Sequence, residues 1–404
     1  MRIARLLATA SCILLPASLA LGSGIEVPMQ SARAAGQADA FTAQADDASA
    51  IFYNPAGLTQ IQGTQISVGA LGLFPEFRFE ANAGPDEAMR LPTLIPHVYV
   101  ASDLGLDRWR FGIGVNDTYG INTDWGDKGP LRVLVDKAKL ATFDIAPTAA
   151  YQLTDSLSVG VALNVIYGQL DLQRNVTLGP PPTPEGEFHL KGSDWAIGVT
   201  PSLLWKINEQ NSIGAYYRSP YTLHFSGDAH LTGPGFQFGP TNAKENLTFP
   251  QSAGIGYAIR PVKPLKLEAD AIWTDWHVVD QFRIHSQDPH FNNQAIPLDW
   301  KSGWTLRGGV QYDLTRHWTL RGGYAWSQNA SPDSTFTPLV PDSNYHLFAA
   351  GIGYSTDNWA IDFAYEYIYR ETRHIDGGNI YSPLLDGTWH NTMNGFMLTF
   401  TAKL

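Results

Sequence analysis

From about residue 64 onward the chain alternates between apolar and polar or small side chains with a period of two, over runs longer than an ordinary strand. Trp359, Ile361, Phe363, Tyr365, Tyr367 and Tyr369 share one face, and Ala360, Asp362, Ala364, Glu366, Ile368 and Arg370 share the other. Two more runs, Trp304 to Tyr312 and Trp318 to Trp326, flank the short turn Asp313–Arg316, with Arg307, Gln311, Asp313 and Arg321 interleaved. A fourth, Ser158 to Gly168, sets Val159, Val161, Leu163, Val165 and Tyr167 against smaller partners. Period two is the signature of a strand with two unlike faces. Soluble strands average about five or six residues, whereas a strand tilted by roughly 45° needs about 9–11 to cross a bilayer. Trp or Tyr stands at both ends of the apolar faces (Trp304 and Tyr312, Trp318 and Trp326, Trp359 and Tyr369). Amphipathic rings favour the two headgroup levels of a membrane. A soluble sandwich has no reason to mark both ends.

The connections alternate as well. Short turns fall near Asp155, at Asn208–Gln210, near Pro261–Pro264, at Asp313–Arg316 and at Asp357–Asn358. Long polar or Pro/Gly-rich connections are expected near 80–92, 122–138, 174–192, 228–246, 286–298, 328–344 and 371–388, one of them with the stiff tip 179–184. Short periplasmic turns and long outer loops are what barrel insertion produces, and the segments number about fourteen, an even count as single-chain bacterial barrels require. The fold expected is all-β: an antiparallel transmembrane β-barrel of about fourteen strands.

Composition supports a membrane setting. Charged residues make up 16% of the chain, beside 38 glycines, 12 tryptophans and 17 tyrosines; soluble domains average about 25% charged. A formal charge of −11 argues against a nucleic-acid partner. Arg2 and Arg5, the apolar run Leu6–Leu15 and the small residues Ala17, Ser18 and Ala20 read as a secretory signal peptide, residues 1–20. It is too short for a spanning helix, and a lipid-attachment reading at Cys12 would leave only a stub of apolar leader. Cys12 is the sole cysteine, so the exported chain has neither disulfides nor thiol chemistry.

Residues 21–62 lack alternation and are rich in Ala, Gly, Asp and Gln. A ring of about fourteen strands is too wide for wall side chains to fill, so this segment is expected either to plug the interior of the barrel formed by 63–404 or to hang from it as a tail. Within it, Asp46-Asp47-Ala48-Ser49-Ala50-Ile51-Phe52-Tyr53-Asn54-Pro55-Ala56-Gly57-Leu58 resembles the hatch signature of the outer-membrane long-chain fatty-acid transporter family, the FadL type. Support continues through Phe111–Gly114 with Thr118-Tyr119-Gly120, Tyr151–Leu153 with Ser158–Gly160, Tyr217-Arg218-Ser219, Trp304–Gly309, and Pro341-Asp342 before Gly351–Tyr354.

The resemblance implies a fourteen-stranded barrel with an N-terminal hatch and passive, ligand-gated uptake of hydrophobic molecules, long-chain fatty acids first and aromatic hydrocarbons or other xenobiotics as the alternative. Asn54, Pro55 and Ala56 match the hatch motif, and Gly120 falls where the family's third strand kinks to open a lateral exit. Arg174 and Lys301 align with the cations that meet the acid headgroup, although each sits at a strand end, where a solvated loop residue is the plainer reading. The implied partners are the ligand, outer-membrane lipid and lipopolysaccharide, and the machinery that inserts barrels; the chain is expected to be a monomer without cofactor. A departure is the C-terminus, which ends on Leu404 instead of an aromatic residue but keeps the alternation of Phe396, Leu398, Phe400 and Ala402.

Other chemistries find little footing. His285 and His290 flank Asp288, but no HExxH or Cys/His set exists, and no G-x-S-x-G elbow occurs. Asp362, Glu366 and Arg370 are read as lumen-facing polar residues instead of an acid pair. An outer-membrane phospholipase or protease and an open diffusion porin remain the competing classes, and the chain is expected not to be an enzyme.

Overall fold

The structure, a computed structural model, describes residues 24–177, 185–288, 291 and 294–404. The expected signal peptide, the tip 179–184 and His290 lie outside them.

Fourteen antiparallel strands form a closed barrel. They are β1 (Thr64–Ala81), β2 (Thr93–Ser102), β3 (Trp109–Asn116, resuming at Gly120–Asp124), β4 (Lys137–Gln152), β5 (Leu157–Thr177), β6 (Glu185–Lys206) and β7 (Asn211–Arg218 with Tyr221–Gly233). The ring continues through β8 (Phe236–Phe249 with Ser252–Val262), β9 (Leu265–Thr274), β10 (Gly303–Asp313), β11 (Trp318–Ser327), β12 (Tyr345–Ser355), β13 (Trp359–Ile375) and β14 (Gly387–Lys403). β14 pairs back onto β1 from Gln65↔Lys403 to Ala81↔Gly387 and leaves no open edge. That closure matters because lipid offers no hydrogen bonds to a free strand edge.

The alternation sorts as its period requires. Trp359, Ile361, Phe363 and Tyr369 are exposed on β13, while Asp362, Glu366 and Arg370 are buried on its inner face. At the end with the short turns, Trp109 stacks near Tyr151 (4.7 Å between centroids), and Trp318, Tyr354 and Trp359 follow one another at 4.9 and 5.5 Å. At the other end Tyr167 and Trp195 lie 4.8 Å apart, and Trp273 sits opposite Trp304. These are two aromatic girdles around an apolar band.

Two expected loops prove to be sheet. β5 and β6 run 21 and 22 residues, and β7 and β8 continue to Gly233 and from Phe236, so 174–177, 185–192 and most of 228–246 are the tops of tall strands. Phe188, Leu190, Phe225, Ala229 and Leu231 keep facing inward there and bury one another above the lipid, which makes the ladder worth extending.

The N-terminal segment is buried against the inward-facing side chains of the wall. Apart from Arg33, Asp46 and Asp47, every residue from Gly24 to Leu58 is buried. It carries two single-turn helices, α1 (Ala32–Ala35) and α2 (Ala50–Tyr53), and a 3₁₀ turn at Pro55–Gln60. Its backbone bonds to walls on several sides: Ala32 N to Thr399 Oγ1 on β14 (3.1 Å), Ser212 Oγ on β7 to Ala43 O (3.0 Å) and Arg307 Nη1 on β10 to Asp39 O (3.1 Å).

Candidate functional site

The segment Asn54-Pro55-Ala56 is a helix start pressed onto the wall. Asn54 caps the 3₁₀ turn by accepting from Ala56 N (3.1 Å), and Pro55 takes the first position, where a missing N–H costs nothing. The Asn54 amide also donates to Thr42 O (2.7 Å) and to Leu203 O on β6 (3.0 Å), so one side chain ties two parts of the segment to a strand. Ala56 N further donates to Ser202 Oγ at 2.9 Å.

Two inward carboxylates on β9 hold the neighbouring loop. Asp270 accepts from Phe41 N (3.1 Å), Thr42 N (3.1 Å) and Thr42 Oγ1 (2.7 Å); Glu268 accepts from Ala43 N (2.6 Å) and Gln44 N (3.0 Å). Four consecutive backbone N–H groups, which would otherwise be buried without partners, are thus satisfied. Asp46 is gripped by Arg33 (2.7 Å) and Lys266 (2.6 Å); burial opposes its ionisation, but these two cations outweigh that and hold it below the usual carboxylate range. Asp39 goes the other way: burial raises it to about 6, against the pull of Arg307 and the hydroxyl of Tyr53, which donates to it at 2.6 Å. The sequence reading missed Glu268, Asp270 and Lys266. Their one visible signal is Lys266, Glu268 and Asp270 at period two on the wet face of a strand.

The wall itself is broken at β3. β2 pairs with β1 along its whole length, from Thr93 to Ser102, but with β3 only from Val98 to Ser102. Residues Asp117–Tyr119 leave the ladder, and Gly120 restarts it against Ala141 on β4. The N-terminal segment takes part of the freed backbone, Val27 N donating to Thr118 O (2.8 Å) and Gly120 N to Ile25 O (2.9 Å), which sets Glu26 opposite Tyr119; Thr142 Oγ1 on β4 takes the N–H and C=O of Tyr119 (3.0 and 2.7 Å). At the outer end of the gap the edges meet again where Asn122 Nδ2 donates to Thr93 Oγ1 (3.0 Å). Gly120 therefore lies at the upper margin of a break that the three preceding residues make.

Aromatic rings line the lumen beside the break. Tyr119 packs beside Phe249 and Trp276 (5.1 and 5.9 Å between centroids), and Trp276 meets Trp300 at 5.3 Å. The 328–344 loop folds into the mouth, where Trp125 Nε1 donates to Pro338 O (3.0 Å) and Asp342 pairs with Arg370 (2.8 Å).

The two cations expected at the headgroup are placed on different parts of the molecule. Arg174, half-buried near the top of β5, lies over the ring of Phe188 at 5.7 Å. Lys301 is exposed before β10, in an outer cleft of about 350 Å³ that it shares with Asp333, Glu371 and Arg373.

A closed wall, two girdles and a ring-lined lumen describe a membrane channel of a particular kind, and comparison with known proteins fixes which. Residues 13–403 match the family described as outer membrane protein transport protein (OMPP1/FadL/TodX). The chain belongs to that family. Among its relatives, the long-chain fatty acid transport protein of Escherichia coli O6:H1 is 22% identical over 379 residues, covering 80% of this chain and 82% of that one. A Pseudomonas aeruginosa FadL homologue of known structure superposes with a TM-score of 0.84 at 19% identity, over 94% of this chain and 99% of that one. The toluene transporter TodX of P. putida gives 0.71 at 18% identity, over 89% and 94%. The FadL-family chain described here is thus an outer-membrane transporter of hydrophobic compounds.

Proposed function

We propose that the chain is a passive channel in which a hydrophobic ligand, a long-chain fatty acid before other classes, enters through the outer loops and leaves sideways through the break between β2 and β3. The observation that carries this reading is the break itself, backfilled by Ile25–Val27. In this reading residues 24–62 act as a hatch. Freeing Thr118 and Gly120 costs two backbone hydrogen bonds, about 1 kcal/mol each. A ligand moving from water into lipid gains roughly 0.8 kcal/mol per buried CH₂. A long acyl chain therefore supplies the driving force, and no energy source is required.

The preference for fatty acids is supported by the name of the E. coli relative, a long-chain fatty acid transport protein, and by a cation at the top of the lumen, Arg174, that an apolar substrate would not need. Arg174 is proposed to meet the headgroup at the top of the lumen, and Lys301 to attract the anion at the outer cleft. Uptake of aromatic hydrocarbons is the second reading, favoured by the ring cluster of Tyr119, Phe249 and Trp276 and by the likeness to a toluene transporter.

Binding of oleate and of toluene to purified Arg174→Ala and Lys301→Ala proteins tests the assignment. Weaker oleate binding with toluene spared supports the fatty-acid reading, whereas equal losses remove it.

A further inference from the structure

Arg218 on β7 points into the lumen with 6% of its surface exposed and, among the described residues, has no carboxylate within ion-pair distance. Its guanidinium covers the ring of Phe52 at 4.6 Å and donates from Nη2 to Phe52 O at 3.3 Å, which leaves Nε without a protein partner. The same part of the lumen carries the hydroxyls of Tyr99, Tyr119 and Tyr221, Oδ1 of Asp144 and Oγ of Ser252, with the rings of Tyr119 and Tyr221 6.3 Å apart. All are buried; the hydroxyls of Tyr99 and Tyr221, Asp144 Oδ1 and Ser252 Oγ have no hydrogen-bond partner within the protein, and the Tyr119 hydroxyl has Arg218 as its polar neighbour. The charge of Arg218 acts on Tyr99, Tyr119, Tyr221 and Asp144, and Ser252 is its register partner on β8. These atoms come from β2, the β3 break, β4, β7 and β8, so the tertiary fold brings them together beside the break.

An unmatched buried polar group costs about 1–3 kcal/mol, and folded proteins carry few of them. Several converging on one guanidinium define a place for a polar occupant. Acids are also near: Asp144 has its other oxygen taken by Asn164 (2.6 Å), Asp117 accepts from Thr142 (3.0 Å), and Glu26 belongs to the bridge with Tyr119. A carboxyl group suits such surroundings. Its oxygens accept from Arg218 and the tyrosine hydroxyls, and when protonated it can donate to Asp144 Oδ1. Phe249 and Trp276 flank Tyr119 on the side where an apolar tail would lie.

We propose that Arg218, with the hydroxyls of Tyr119 and Tyr221, is a second internal headgroup site that receives the carboxyl group of an apolar monocarboxylic acid just before lateral exit. The inference rests on the transport reading above and narrows it to ligands that end in a carboxyl group, because a bare hydrocarbon would leave these donors unmatched.

The test is entry of dodecanoate and of toluene into liposomes holding equal amounts of folded wild-type, Arg218→Gln, Tyr119→Phe and Tyr221→Phe protein. The ratio of dodecanoate to toluene rates should fall at least about tenfold in R218Q and about threefold in each tyrosine variant, as loss of a charge-assisted or a neutral hydrogen bond implies. Because Arg218 also touches the hatch at Phe52, an equal fall for both probes in R218Q, with the tyrosine variants unchanged, would mark it as a structural residue beside ordered water and overturn the site. Wild-type protein that carries neither probe would instead overturn the transport reading, and the site with it.

Discussion

The ammonium of Lys266 on β9 lies 2.6 Å from Asp46 in the N-terminal segment, and Arg33 closes on the other oxygen of the same carboxylate at 2.7 Å. The wall thus contributes one of the two charges that keep Asp46 ionised. Replacing Lys266 by Met leaves the segment's own pair intact but removes the anchor to the barrel, at a cost of about 1–3 kcal/mol for a charge-assisted bond. In planar bilayers the Lys266→Met channel should open more often than wild type. Unchanged opening would mean that the carboxylates of β9 hold the segment without it.

Two glycines let backbone lie directly on backbone. A Cβ at Gly214 would sit 2.0 Å from Thr42 O, and one at Gly160 would sit 2.3 Å from Ala56 N. Gly214→Val should therefore lever the segment off β7, costing about 1–3 kcal/mol or more as overpacking does, while the outward face stays unaltered. Limited proteolysis of detergent-solubilised protein should cut the variant within residues 24–62 and leave the barrel whole. Resistance equal to wild type would contradict the packing described.

Asp39 sets a pH dependence. Burial raises its carboxyl to about 6 in the docked segment, whereas in water the same group ionises near its ordinary value of about 3.9. Between these values the docked form binds more protons, so docking weakens as the pH rises through that window and levels off above about 6. Asp46, held low by Arg33 and Lys266, acts oppositely: its contribution is present above its ordinary value and is lost as acid protonates it. Docking should be firmest near pH ~4–5, and channel openings should increase as the pH rises from 5 to about 6.5 and change little above that. Asp39→Asn should flatten that rise, and a wild-type profile flat over the same range would count against the assignment.

Much of this architecture was legible in the chain. Trp318 to Trp326 and Trp359 to Tyr369 declare their lipid faces because lipid accepts no polar side chain at every second position, and the turns at Asp313–Arg316 and Asp357–Asn358 are too short to do more than reverse a strand. The tall strands were not legible. Phe225, Ala229 and Leu231 face one another above the membrane, beyond any constraint from lipid, so their alternation is diluted by Asp228, His230 and Thr232. The site was legible only in part. Asn54-Pro55-Ala56 carries local capping chemistry that a sequence can show, but the roles of Glu268, Asp270 and Arg218 depend on partners far along the chain. Lys301 and Arg174 look alike as basic residues at strand ends, and only folding places one outside and the other over Phe188.

The central claim is that ligand leaves through the wall between β2 and β3. Thr93 and Asn122 face each other across that gap, with Asn122 Nδ2 3.0 Å from Thr93 Oγ1, and Cys12, the sole cysteine, lies in the expected signal peptide. A Thr93→Cys, Asn122→Cys protein in liposomes, bridged by a short bifunctional thiol reagent that is cleavable by reductant, measures the claim directly. Oleate entry should fall on bridging and return on cleavage; entry at the same rate in both states would show that the ligand travels down the axis and contradict the account.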